Sequence, residues 1–221
     1  MDKRKTYTSE GIDVEYGPRR CIHFAECVRS LPQVFDTGRR PWIKPDESDP
    51  DAIAAVVERC PTGALHHVRK DGGAVEPLPA AKTLTASPNG PLFVHADVTL
   101  VTPEGIEFQD TRLALCRCGH SQNKPFCDNS HGAAGFQDSG QLHGYEPGVQ
   151  SGPADGPLRV SIQANGPYLL KGNFAVTSAD QKTVVVRRRG AFCRCGHSQS
   201  KPFCDGSHAK IGFKGAEGEV L

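Results

Sequence analysis

Between residues 92 and 186 the apolar positions come in short runs punctuated by Gly, Pro, Asn and Asp, a pattern that predicts strands. Residues 92–94, 97–101 and 113–115 form one set, and residues 168–170, 174–177 and 183–186 form another. The two sets are copies. Ser87-Pro-Asn-Gly-Pro91-Leu-Phe-Val aligns with Gln163-Ala-Asn-Gly-Pro167-Tyr-Leu-Leu at an offset of 76, which predicts a duplicated strand-rich module. The first third of the chain differs. Asp49-Pro50 reads as a helix cap with proline in the first turn, and Ala52, Ile53, Val56 and Val57 continue it as an apolar helical stripe up to Cys60. Residues 70–87, rich in Gly, Pro and Ala, read as a linker, and residues 137–157, dense in Gly, Pro, Ser and Asp, as a crossover. The expected fold class is α+β in three parts: residues 1–76, 77–150 and 151–221, the last two β-rich.

Each module carries the same polar signature. Cys116, Cys118, Cys127 and His131 recur as Cys193, Cys195, Cys204 and His208 at an offset of 77, so one residue separates the two alignments. Thiolates are soft donors and imidazole is borderline, so three of the first and one of the second close a four-ligand site around zinc or an iron-sulfur cluster. Structural zinc sites usually space a cysteine pair by two to four residues. The one-residue spacing here disfavours zinc without excluding it.

The second copy spells Cys204-Asp205-Gly206-Ser207-His208, with Ser198 and Pro202 also in place, and it resembles the CDGSH, mitoNEET-like iron-sulfur family. The resemblance implies a 2Fe-2S cluster in each copy. Cys193 and Cys195 would hold the inner iron and Cys204 with His208 the outer one; Cys116 and Cys118, then Cys127 and His131, would do the same in the first. The first copy has Asn129 where the pattern has glycine, and asparagine is the non-glycine residue that best tolerates a left-handed backbone. Members of this family pair as twofold homodimers through their strands. Two copies in one chain therefore imply a monomer containing a pseudo-twofold intramolecular dimer.

Residues 1–76 contain Cys21-Ile-His-Phe-Ala-Glu-Cys27 and, later, Cys60-Pro61-Thr62-Gly63. A cysteine followed by proline, closing a site opened by spaced cysteines, is a ferredoxin cue. The segment resembles single-cluster bacterial ferredoxins, and more closely a divergent subgroup lacking the second cysteine, whose place falls at Phe24. Three thiolates, Cys21, Cys27 and Cys60, suit a 3Fe-4S cluster; a 4Fe-4S cluster would need a fourth ligand such as His23, a carboxylate or water. Phe35, Pro41, Trp42 and Ile43 are expected to pack over it.

Composition narrows the function. The chain has 221 residues, a formal charge of +1 and nine cysteines, an odd number set at ligand spacings. These features argue for metal binding in a reducing compartment and against nucleic-acid binding or a polybasic membrane anchor. No apolar run approaches 18 residues and the N terminus lacks a secretory core, so a soluble cytoplasmic protein is expected. No catalytic triad, phosphate loop or paired-carboxylate motif is evident, and an enzyme is not expected. Asp128 and Asp205 are expected to cap the turns into the histidines. His120 and His197 are candidate donors to sulfur or exposed turn residues. Gly135-Phe136 and Gly212-Phe213 read as a turn with an aromatic lid, and Arg187-Arg-Arg189 as a solvated strand end. The leading expectation is electron transfer with a redox partner protein. Cluster storage, sensing or delivery to an apo-acceptor is a second reading, and a zinc-stapled interaction module a third.

Overall fold

A computed structural model describes residues 3–144 and 156–215. The chain forms two compact units, Met1–Leu78 and Pro79–Leu221.

The first unit is a three-stranded antiparallel sheet of β1 (Lys5–Thr8), β2 (Ile12–Tyr16) and β3 (Leu65–Arg69), with β2 central, and two helices. The short helix α1 (Glu26–Ser30) carries Cys27, and α2 (Pro50–Glu58) begins where Asp49 accepts a hydrogen bond from the Asp51 amide at 3.2 Å. The apolar stripe of α2 (Ile53, Val56 and Val57) is buried with Ile12, Val14 and Leu65. Each such side chain contributes roughly 1.5–3 kcal/mol on burial. Proline at 61 follows the last turn, where the Cys60 amide donates to the Val57 carbonyl at 3.0 Å.

The second unit holds β4 (Thr83–Ala86), β5 (Leu92–Val101), β6 (Glu107–Leu115), β7 (Leu158–Ile162), β8 (Tyr168–Thr177) and β9 (Val184–Phe192). Its pairings are reciprocal between the two copies. β4 lies antiparallel to β5 and parallel to β8, while β7 lies antiparallel to β8 and parallel to β5. The hairpins β5–β6 and β8–β9 each carry a register shift at matching places, between His95 and Val98 and between Lys171 and Phe174. One core, including Leu84, Val98, Leu158, Phe174 and Phe192, serves both copies.

Several local expectations change. The stretch read as a linker contains β4, a strand that takes partners from both copies. The runs 92–94 and 97–101 are one bulged strand, and Arg187 to Arg189 lie inside β9 rather than at its end. Of the expected crossover, residues 145–155 lie outside the described residues.

Candidate metal centres

In each copy a strand ends and a loop of ligands begins. After β6 the Cys116 amide donates to the Pro125 carbonyl at 2.9 Å and the Cys127 amide to the Ala114 carbonyl at 2.8 Å. After β9 the Cys193 amide meets Pro202 at 2.9 Å and the Cys204 amide meets Ala191 at 2.8 Å. Inside the loops, Ser121 Oγ donates to the Phe126 carbonyl and Ser198 Oγ to the Phe203 carbonyl, both at 2.7 Å. The two ends of the ligand set are thereby brought together.

Asp128 ties the loop to the histidine turn, accepting from the Gln122 amide at 2.7 Å and the Ser130 amide at 3.0 Å. Asp205 accepts from Gln199 at 2.8 Å and Ser207 at 2.9 Å. Burial opposes the charge on Asp128, yet these hydrogen bonds outweigh it and hold the carboxyl below its ordinary range. Asp205 is pushed lower still by the Gln199 amide and Ser207. The expected capping role is thus present. The following residues, Asn129 and Gly206, sit in left-handed backbone with φ of 71° and 86°, which turns the chain into α3 (Ser130–Ala133) and α4 (Ser207–Lys210), bearing His131 and His208.

The donors arrive in pairs. Cys116 Sγ lies 3.6 Å from Cys118 Sγ, and Cys127 Sγ lies 3.4 Å from His131 Nδ1. In the second copy the separations are 3.8 Å for Cys193 and Cys195 and 3.3 Å for Cys204 and His208. A tetrahedral metal bound to sulfur at about 2.3 Å sets two thiolates about 3.8 Å apart, and sulfur and imidazole nitrogen about 3.5 Å apart. Each pair therefore has the bite of one metal atom. Within each cysteine pair the hydrogen bond between the two thiols raises one, Cys116 or Cys195, and lowers the other, Cys118 or Cys193. Burial pushes Cys127 up to about 11 and also raises Cys204.

Backbone amides also point at sulfur: His120 at Cys118 and Asn129 at Cys127, both at 3.4 Å, and Gly206 at Cys204 at 3.5 Å. The His120 and His197 side chains are exposed, and His197 Nδ1 contacts the Cys195 carbonyl at 2.8 Å. Position 120 thus serves sulfur through its amide.

The arginines between the paired cysteines were not singled out by the sequence reading, yet both are buried. Arg117 donates to the Gly90 carbonyl at 3.0 Å and to Asp138 Oδ1 at 2.6 Å, and its guanidinium lies over the Phe136 ring at 5.4 Å. Arg194 donates to the Gln163 carbonyl at 2.9 Å and lies over Phe213 at 5.4 Å. The aromatic residues expected as lids stack on these arginines instead. The two loops also meet each other. A Cβ on Gly119 would lie 2.8 Å from the Cys195 carbonyl oxygen, and one on Gly196 2.6 Å from that of Cys118. The buried Tyr168 hydroxyl lies 3.0 Å from both the Cys116 and Pro125 carbonyls, so the second copy's strand supports the first copy's loop.

In the first unit Cys21, Cys27 and Cys60 line one pocket with Tyr16, Phe24 and Trp42. Of the expected covering residues only Trp42 lines it, because Phe35 and Ile43 are in the core and Pro41 is exposed. Three residues shape its edge. Burial, then the neighbouring Cys21, pushes the Tyr16 phenol well above its ordinary range, so it stays protonated beside the thiols. Thr62 Oγ1 lies 3.5 Å from Cys60 Sγ, and the buried Arg20 fixes that turn by donating to the Thr62 carbonyl at 2.7 Å. Glu26 is turned toward Ser30 and Arg59, at 2.8 and 2.9 Å. His23 lines a neighbouring cleft with Cys21 and Cys27, without Cys60.

Soft donors in matched pairs, amides aimed at sulfur and a three-thiol pocket are what an iron-sulfur protein needs, and the family matches support that class. Residues 7–70 match the family described as divergent 4Fe-4S mono-cluster, and residues 89–132 and 165–209 each match the iron-binding zinc finger of CDGSH type. The N-terminal domain is also similar to "Uncharacterized protein YjdI" of Escherichia coli (strain K12). That match is 41% identical over 66 residues, 30% of this chain and 87% of the relative, and the protein of the same name in Escherichia coli O157:H7 matches equally. The chain belongs to the divergent 4Fe-4S mono-cluster family through its first domain and carries two CDGSH domains after it. Among the described residues no helix is long and apolar enough to cross a membrane.

Proposed function

We propose that this protein is an electron carrier with two 2Fe-2S clusters and one further cluster in its first unit. Cys116, Cys118, Cys127 and His131 would hold one cluster, Cys193, Cys195, Cys204 and His208 the second, and Cys21, Cys27 and Cys60 the 3Fe-4S or 4Fe-4S cluster. Bound clusters of these kinds supply reversible one-electron chemistry. The carrying observation is the pairing of donors, two bites of single-metal width in each copy. One four-ligand zinc ion would draw all four donors around a common point, whereas among the described residues no three of them are grouped closely enough to hold one ion.

The chain's own residues set the conditions for that chemistry. Amides at His120, Asn129 and Gly206 donate to ligand sulfur, which favours the reduced, more negative state. Arg117 and Arg194 brace the loops, and one sheet carries both loops. The reciprocal pairing of β4 with β8 and β7 with β5 supports a pseudo-twofold monomer. The partner would be a redox protein, the compartment a reducing cytoplasm, and the protein itself no enzyme. Anaerobic titration of the holoprotein with dithionite, followed by air, tests this reading. Reversible bleaching of visible absorbance with an EPR signal of reduced 2Fe-2S centres supports it, and a colourless zinc protein refutes it.

Delivery of clusters to an apo-acceptor is the second reading. It is favoured by Cys204, which is less buried than its counterpart Cys127.

A further inference from the structure

Three cations stand in one row across adjacent strands of the second copy. Arg159 of β7 faces Lys171 of β8, and Lys171 faces Arg189 of β9, each directly opposite in register. Directly opposed residues share a face, and neighbouring strands lie about 4.8 Å apart. All three side chains are exposed along a shallow groove. Like charges placed this way repel and destabilise a sheet. The counter-charge present is Glu107, 2.8 Å from Arg159 with both side chains about half exposed; among the described residues Lys171 and Arg189 form no ion pair.

The first copy lacks this row. Its equivalent positions are Thr83, His95 and Arg112, again directly opposed, and Arg112 is only 4% exposed. The duplication has thus kept the sheet and changed one face of it. The next row in the groove is Ser161, Leu169 and Ala191, and Leu169 is 41% exposed. A cationic row beside an exposed leucine is the composition of a protein interface with a charged rim. β9 leads from Arg189 into the ligand loop at Cys193, about 13 Å of extended chain further on.

We propose that this groove on β7, β8 and β9 is the docking site for the acidic face of an electron-transfer protein that exchanges electrons with the second CDGSH cluster. This rests on the electron-carrier reading above. Long-range attraction steers an acidic partner to the row, and Leu169 provides the apolar contact that fixes it. The exposed leucine and the small number of cations favour a protein over a nucleic acid or an anionic bilayer.

The test uses the holoprotein and a reduced flavodoxin, a small acidic electron carrier, as probe. Binding by calorimetry and electron transfer by stopped flow are measured for wild type, for the double variant Lys171→Glu with Arg189→Glu, and for the control Lys182→Glu at an exposed turn. The double variant is expected to bind about tenfold or more weakly at low salt, the gap closing near 1 M salt where screening is strong. The control stays within about twofold, and dithionite reduces all three alike. Equal flavodoxin binding by the double variant and wild type overturns the docking site, as does absence of wild-type binding. Loss of binding to a DNA duplex or anionic vesicles, with none to flavodoxin, overturns the acidic-protein occupant. If charge reversal abolishes binding but no electrons pass from flavodoxin or dithionite in wild type, the docking site stands and the electron-carrier reading falls.

Discussion

Arg117 and Asp138 form an ion pair at 2.6 Å with side chains only 1% and 5% exposed, and the position matching Asp138 in the second copy is Gly215. The Asp138 carboxylate thus joins the Gly90 carbonyl and the Phe136 ring around Arg117, while the contacts of Arg194 include the Gln163 carbonyl and the Tyr168 and Phe213 rings. Removing one partner of a buried pair strands the other charge, at a cost of about 3–5 kcal/mol. Asp138→Ala should lower the urea midpoint of the second unit accordingly and release iron from the first CDGSH site before the second. Equal release from both sites would show that the pair does not brace the loop.

Gly119 and Gly196 make each loop depend on the other. Both have positive φ, 82° and 83°, and each faces a carbonyl of the opposite loop. Alanine at either position adds left-handed strain of about 1–2 kcal/mol to a backbone clash. A single Gly119→Ala or Gly196→Ala substitution should diminish the 2Fe-2S absorbance of both sites. Loss confined to the substituted loop would contradict the coupling.

The left-handed turns before the histidines give a paired prediction. Asn129 holds φ at 71° where its counterpart is Gly206 at 86°. Asn129→Gly should leave iron content unchanged, while Gly206→Ala should lower occupancy of the second site alone. Iron per chain, with His131→Ala and His208→Ala as site markers, measures both.

Histidine must be neutral to ligate, so protons compete with metal at His131 and His208 more effectively than at a thiolate. Burial holds His131 below the ordinary histidine range, so its neutral, ligating form persists further into acid before protons displace metal and retention is lost as pH falls. Replacing His131 and His208 together by cysteine should slow the decay of visible absorbance in acid. If wild type and the double variant decay alike at every pH, histidine protonation is not the route of loss and cluster delivery loses its main physical support.

The candidate ligand sets stood out because cysteine and histidine at fixed spacing carry their chemistry in the residue type. Helix α2 was legible from Asp49, Pro50 and its stripe. The first sheet was not: of the four residues of β1 only Tyr7 is buried, too little alternation to announce a strand. β4 was hidden in a stretch rich in Gly, Pro and Ala because its partners, β5 and β8, are supplied by tertiary structure. Arg117 and Arg194 did not stand out, since nothing local shows that Phe136 and Phe213 return to cover them. Tyr168 bracing the Cys116 loop is likewise a contact between copies, 52 residues apart in sequence.

The most direct test of the central claim is a count of iron, zinc and acid-labile sulfide per chain, with EPR, on anaerobically purified protein. Two 2Fe-2S clusters and a three-iron cluster on Cys21, Cys27 and Cys60 give about seven irons and eight sulfides, with the EPR signal of an oxidised 3Fe-4S centre as isolated; a four-iron cluster raises the iron to about eight. Stoichiometric zinc without sulfide would contradict the account.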